Sequence, residues 1–324
     1  MMSLESEQST LPRAVSIREV GPRDGFQNEP ETIPTERKIG LIDALARTGL
    51  RRIEVTSFVR PEVIPQLADA REVLASIDVP AAVSVSVLIP NERGLQNALT
   101  LRDELQDAGT LRERPLFDEV NVFLSASETH NSKNVNRSIV ESLAGIDAVL
   151  ARAREAGLRC EGVISTSFGC PYEGHVPAGR VLDIAMHLRD SGAQEVAFGD
   201  TTGMANPRQV RELLASARTA LGEQVELTAH FHNTRGQGLA NVLAALEAGV
   251  RSFESSFGEL GGCPVPPGST GNIATEDLVS MLHEMGIDTG VDLPALIDCA
   301  RRVQEVLGRP LGSHTLLAGP VRWS

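Results

Sequence analysis

Aromatic side chains are scarce in this chain: one Trp, one Tyr and nine Phe among 324 residues. So few rings offer little from which to build a base-stacking platform for single-stranded nucleic acid. Positive charge is in deficit too. The formal net charge is −13, and its long-range repulsion opposes binding to nucleic acid and to an anionic membrane surface. A small anionic substrate stays open, because a local pocket can be positive inside an acidic protein. No apolar run reaches the length of a membrane span. Cysteine is sparse: Cys160, Cys170, Cys263 and Cys299 form no C-x-x-C pair, which argues against a disulfide frame or structural zinc and for reduced thiols in a cytoplasmic protein. The opening MMSLESEQSTLP lacks the basic start and apolar stretch of a signal peptide and the arginines of a transit peptide. Residues 1–13 are expected to be a flexible tail.

What remains is ordinary globular material, 41% hydrophobic and 23% charged, with ample residues for a sizeable core. Short β-type runs alternate with helical stretches. Strands are predicted at 15–20, 51–56, 82–88, 118–124, 159–165, 194–199, 225–232 and 250–256. Helices are predicted at 35–48, 62–76, 91–106, 135–156, 178–191, 207–221, 236–248 and 275–284. Eight strand–helix units describe a TIM (β/α)8 barrel. A doubly wound open sheet is the alternative, but no Gly-rich dinucleotide loop follows the first strand. The expected organisation is a catalytic barrel over 14–292, then a C-terminal helix (293–307) and tail packed on it to 324.

Strand side chains alternate faces. In 225–232, Glu226, Thr228, His230 and His232 share one face and Leu227, Ala229 and Phe231 the other. In 51–56, Arg52, Glu54 and Thr56 oppose Ile53 and Val55. The apolar face of a barrel strand must meet the helices, so the polar face points into the lumen. Polar lumen positions are costly unless paired or gathered into a site, and a site is the inference here.

Three segments are candidates for chemistry. His230 and His232 stand on one face of one strand, near enough to share a cation or to be hydrogen-bonded core histidines. Their strand runs into the polar turn Asn233-Thr234-Arg235-Gly236, at the carboxyl end where barrel active sites sit. Arg23-Asp24, in VGPRDGFQNE, follows the first strand. It reads equally as a turn or as a carboxylate ligand beside a cation that stabilises an enolate oxygen. The third segment, FGELGGCPVPPGSTGNI over 257–273, is a long Gly- and Pro-rich loop of the kind that is more often functional than filler. It contains Cys263, either inert or the acid–base group of a lid, and closes on Asn272. Two imidazoles, one carboxylate and one amide oxygen suit a divalent metal, magnesium or manganese.

Together these segments resemble the 3-hydroxy-3-methylglutaryl-CoA lyase family, metal-dependent TIM-barrel lyases with an R-D-G-x-Q motif. The matching stretches are VGPRDGFQNE, IEVTSFVRPEVIPQLAD, SASETHNSKNVNRS, FGCPYEGHV, FGDTTGMANP, HFHNTRGQGLAN and GGCPVPPGSTGNIATEDLVSML, spread from about 15 to 292. The GGCP loop belongs to the lyase branch, whereas related condensing synthases share only the R-D-G-x-Q and H-x-H elements.

The resemblance implies Asp24, His230, His232 and Asn272 as metal ligands, Arg23 as the enolate-stabilising group and Cys263 as a proton-transfer group. Glu54 and Asp200 match acidic positions close to the chemistry, with His230 beside them, and Gln27 is the motif's glutamine, placed with Arg23 against substrate. A homodimer is the family's habit. The chain departs from the family at Asn233, where the lyases read aspartate, at Phe26, Pro30 and Phe231, and over 97–117, which runs longer. The expected function is retro-Claisen cleavage of 3-hydroxy-3-methylglutaryl-CoA to acetoacetate and acetyl-CoA. The rivals are lysis of another 3-hydroxyacyl-CoA such as citramalyl-CoA, Claisen condensation, and a catalytically silent binding barrel.

Overall fold

The computed structural model describes residues 11–107, 115–262 and 270–323. Eight parallel strands close on themselves in chain order: β1 (Ser16–Glu19), β2 (Arg52–Ser57), β3 (Ser84–Leu88), β4 (Glu119–Ser125), β5 (Arg159–Ser165), β6 (Glu195–Asp200), β7 (Glu226–Phe231) and β8 (Ser252–Ser255). The last strand returns to the first, with Ser16 opposite Ser252 and Glu19 opposite Ser255. The (β/α)8 barrel expected from the sequence is the fold.

The helices wrapping it are α1 (Thr35–Leu45), α2 (Ala70–Ser76), α3 (Glu92–Asp107), α4 (Glu128–Val135), α5 (Ile139–Glu155), α6 (Ala178–Asp190), α7 (Pro207–Leu221), α8 (Gly238–Glu247) and α9 (Thr275–Glu284). Between them and the barrel lies the apolar core. Ile53, Val85, Val120, Phe198, Leu227, Ala229, Phe231 and Phe253 point outward from their strands into it and are essentially fully buried. Each such large side chain contributes about 1.5–3 kcal/mol by leaving water. Beyond the barrel, α10 (Leu293–Leu307) lays Leu296, Ile297, Ala300 and Val303 on the body. The short α11 (His314–Ala318) follows, capped by Ser313.

Two predicted helical stretches depart most from the sequence reading, and α4 was not predicted at all. The stretch 62–76 divides into a 3-10 turn at Pro65–Leu67 and α2, because Ile64, ahead of a proline, is held out of the helical region at φ −130°. The stretch 135–156 begins only at Ile139. Asn136 ends α4 in the left-handed conformation (φ 54°), and Ser138 opens α5 through a reciprocal capping box with Glu141.

The lumen of the barrel is polar. Arg18, wholly buried, donates to Glu119 at 2.8 Å, to Glu254 at 2.8 Å, to Glu195 at 3.4 Å and to Glu161. Arg52 joins Glu119 and Glu195, and Thr228 donates to Glu195. This charged floor lies beneath the carboxyl ends of the strands.

Candidate active site

The chain after β1 folds back at once. Asp24 donates its backbone N–H to the Val20 carbonyl (2.7 Å) in a single π-type turn over Gly21–Gly25. That turn aims Arg23 and Asp24 over the lumen. Gly21 fits only because it has no side chain: a Cβ there would lie 2.7 Å from Glu19 Oε1 and from the Phe257 ring. Glu19 is the tie beneath, accepting the N–H groups of Gly21 (2.7 Å) and Phe257 (3.0 Å) and the hydroxyl of Thr275 (2.7 Å). It therefore fastens the loop after β1 to the loop after β8. Of the two readings the sequence left even, the turn is present, and it carries Arg23 and Asp24 to the mouth of the barrel.

Asp24 is the centre of the cluster. Its Oδ1 accepts from Arg23 Nη1 (2.7 Å) and Gln27 Nε2 (2.9 Å), and its Oδ2 accepts from Asn272 Nδ2 (2.8 Å). Burial alone would raise its pKa, but Arg23 foremost, then the two histidines, hold it at about 2, so it is a carboxylate at any working pH. His230 and His232 point ring nitrogens at one spot, with their Nε2 atoms 3.1 Å apart. Donor atoms of Asp24, His230 and His232 all lie within 4.8 Å of one another.

Asn272 is drawn in by an isolated bridge to His232, and its Oδ1 is buried with no hydrogen-bond partner among the described residues. A buried acceptor left without a partner costs about 1–3 kcal/mol, and a cation removes that cost. An octahedral ion with bonds of about 2.1 Å sets neighbouring ligand atoms about 3 Å apart, as the two Nε2 atoms are. Carboxylate, imidazole and amide-oxygen donors therefore fit a divalent metal.

The surrounding charges are fixed by the barrel. Arg23 donates Nε to Glu54 (2.6 Å), whose other oxygen accepts from Asn121 (3.0 Å). Both Glu54 oxygens are thus engaged. Glu54's pKa is nonetheless raised, by burial first, with Arg23 opposing. Burial pushes His232 down to about 3, helped by the charge of His230. His230 is shifted upward: burial lowers it, but its hydrogen bond to Glu254 and the charges of Glu254 and Asp24 outweigh that. Asp200, ending β6, accepts from the N–H groups of Met204 (2.7 Å) and Ala205 (3.0 Å) on Oδ1. Its Oδ2 is buried and has no hydrogen-bond partner among the described residues. Desolvation raises it to about 6 against those two bonds, as suits a group that takes up a proton near neutral pH.

The structure thus gathers Arg23, Asp24, Gln27, Glu54 and Asn272 into one hydrogen-bonded cluster, with ring nitrogens of His230 and His232 within 4.8 Å of an Asp24 oxygen. The charges of His230 and Arg235 bear on Asp200. Cys263 lies outside the described residues. Sequence reasoning did not single out Asn121, which steadies Glu54, or Glu254, which holds His230. The available signal was a glutamate at an inward position on each of four strands, Glu119, Glu161, Glu195 and Glu254.

A closed barrel with a two-histidine, one-carboxylate cluster at its carboxyl mouth, beside an arginine, defines a class: barrel enzymes with a candidate metal site among the loops that follow the strands. The HMGL-like family model matches residues 14–303. Hydroxymethylglutaryl-CoA lyase YngG of Bacillus subtilis is 47% identical over 94% of this chain and 97% of its own. The mitochondrial hydroxymethylglutaryl-CoA lyase of Rattus norvegicus is 42% identical over 97% and 92%. A solved HMG-CoA lyase from Acinetobacter baumannii, in complex with coenzyme A and 3-methylmalate, superposes with a TM-score of 0.86 at 40% identity, covering 95% of this chain and 96% of that one. The chain belongs to the HMGL-like family, the one its motifs resemble.

Proposed function

We propose that the chain is a carbon–carbon lyase that cleaves 3-hydroxy-3-methylglutaryl-CoA to acetoacetate and acetyl-CoA. The observation that carries this is the convergence of Asp24, His230 and His232 donor atoms within 4.8 Å, with the Arg23 guanidinium on the same carboxylate. Relatives that share the fold over nearly their whole length bear that activity in their names, and the A. baumannii enzyme carries coenzyme A.

Asp24, His230, His232 and the Asn272 amide oxygen would hold a divalent cation, magnesium or manganese, which when bound supplies Lewis acidity to substrate oxygens and lowers the pKa of a hydroxyl. Asp200 Oδ2 takes the proton of the tertiary 3-hydroxyl. It is the better base than Glu54, whose two oxygens are occupied by Arg23 and Asn121. The electron pair of that O–H bond forms the ketone as the C2–C3 bond breaks, and the bonding pair passes to the thioester as an enolate. Arg23 carries the enolate oxygen. Its Nε and Nη1 are committed to carboxylates, which fixes the guanidinium before charge develops; such preorganisation is the efficient form of electrostatic stabilisation. Gln27 holds Asp24 from the substrate side. Cys263 returns a proton to C2 of the enolate, giving acetyl-CoA.

We place the reaction in the barrel of 14–292, with 293–324 as its packed extension, and expect a cytoplasmic homodimer. Three free, buried cysteines suit a reducing compartment. The test is a coupled assay on metal-stripped protein reloaded with magnesium or manganese. The substrates are 3-hydroxy-3-methylglutaryl-CoA and a panel of other 3-hydroxyacyl-CoA thioesters, citramalyl-CoA included. Acetoacetate released fastest from the first supports the reading, and a preference for another thioester by 10-fold or more in kcat/KM, on the order of 1.4 kcal/mol, overturns it.

A further inference from the structure

The two imidazoles of the cluster are held differently. Nδ1 of His232 is buried with no hydrogen-bond partner among the described residues. Nδ1 of His230 donates to Glu254 Oε2 at 2.8 Å. The other oxygen of that carboxylate, Oε1, accepts from Arg18 Nη1 at 2.8 Å. Arg18 is itself pinned by Glu119, Glu161 and Glu195, so one guanidinium on β1 ties together β4, β5, β6 and β8 at the barrel axis.

We propose that Glu254, anchored from below by Arg18, is a positioning residue that sets the ring orientation and tautomer of His230, so that its Nε2 lone pair faces the cation position. The proposal rests on reading Asp24, His230 and His232 as the metal cluster. An imidazole that rotates about its χ angles presents either nitrogen, and a proton on Nε2 would abolish its use as a ligand. A carboxylate fixed at Nδ1 keeps the proton there and raises the basicity of Nε2. Glu254 performs this only if it cannot swing away, and its second bond, to a guanidinium with no freedom of its own, prevents that.

The test compares Glu254→Gln with Glu119→Gln. The second variant also loses a carboxylate partner of Arg18, but it has no contact with His230. Manganese affinity, read from the electron-paramagnetic-resonance signal of the free ion, should fall by about 10- to 100-fold in Glu254→Gln and stay within about 2-fold in Glu119→Gln. Nitrogen-15 NMR of histidine-labelled, metal-stripped wild type at alkaline pH should show His230 with its proton on Nδ1, and Glu254→Gln should mix the tautomers. Equal manganese loss in both variants, unchanged affinity in Glu254→Gln, or a wild-type His230 protonated on Nε2 overturns the proposal. The NMR of the wild type decides it even if Glu254→Gln does not fold. Wild type that binds manganese through this device but cleaves no 3-hydroxyacyl-CoA would leave the positioning role standing and sink the lyase reading.

Discussion

Asn272 donates its side-chain amide to Asp24 Oδ2 at 2.8 Å and keeps its own Oδ1 buried without a hydrogen-bond partner among the described residues. In the proposed site the residue would have two jobs, orienting the carboxylate ligand and offering an oxygen of its own. Asn272→Ala removes both and should weaken manganese binding roughly 10-fold or more, taking the loss of an outer-shell partner as the lower bound. Titration with manganese measures it directly. An unchanged affinity would take Asn272 out of the cation site.

Asp200, the proposed proton acceptor, has a pH signature. Desolvation holds the Asp200 carboxyl at about 6, and a base works only when unprotonated. Turnover should therefore decline as pH falls through about 6, and a bound cation nearby would draw that limb lower, never higher. Asp200→Asn should cut kcat by about 10²–10⁴ and abolish the acid limb. A variant that keeps the limb assigns the titration to another group.

Much of this candidate site was legible in the sequence because one periodicity and one turn expose it. The alternation in β7 put His230 and His232 on the lumen face, and the turn chemistry of Gly21–Gly25 flagged Arg23 and Asp24. Helices α7, α9 and α10 were bounded correctly from sequence because their end signals are local: Asn206 caps α7 through the Gln209 N–H, and Asp292 caps α10 through that of Ala295. Helix α4 escaped because ETHNSKNV has almost no apolar face. It forms around the Ser127 cap and the Asn131 side chain, which bonds Ser125 N, Ser142 and the Arg137 carbonyl. The lumen charges were illegible for another reason. Arg18 meets Glu161 and Glu254 across 143 and 236 residues, and no local pattern announces partners that only barrel closure brings together.

Arg23 offers a cleaner separation of chemistry from binding. Arg23→Met should keep the fold while lowering turnover by about 10²–10³, the usual worth of one preorganised oxyanion donor. Because Arg23 also braces Asp24, the metal must be saturating in the assay. A loss of less than a few-fold would remove the guanidinium from the enolate step.

The struts behind the loops set a stability profile. Burial raises the Glu19 carboxyl to about 7 and, with Glu19's charge adding, that of Glu276 to about 8. Both values lie above the ordinary carboxyl value of 4.5, so the folded protein binds these protons more tightly than the unfolded chain does. Their contribution is present in full below about 4.5 and is lost as pH rises through about 7 and 8. Glu276 accepts from Gly258 N at 3.0 Å, an arrangement a glutamine can keep. Glu276→Gln should flatten the fall in melting temperature between about pH 6 and 9. An unchanged slope would mean that Glu276 is ionised in the fold already.

The thiol chemistry can be assigned by elimination. Cys160 and Cys170 have no exposed surface and Cys299 is 4% exposed. Burial pushes the thiols of Cys160 and Cys299 up to about 11, so neither supplies much of the thiolate that alkylating reagents require. Cys170 donates to the Ser127 hydroxyl, beside the α4 cap and away from the metal cluster. Iodoacetamide should therefore modify Cys263 first, with activity falling in step and acyl-CoA slowing the reaction. Cys263→Ser should keep metal and fold but lose most of its turnover, because an alcohol is a far weaker acid than a thiol. Peptide mapping after partial alkylation checks this. Inactivation that tracks Cys160, Cys170 or Cys299, or a Cys263→Ser variant near full rate, would remove Cys263 from the proton-return step and leave the enolate to be quenched by solvent.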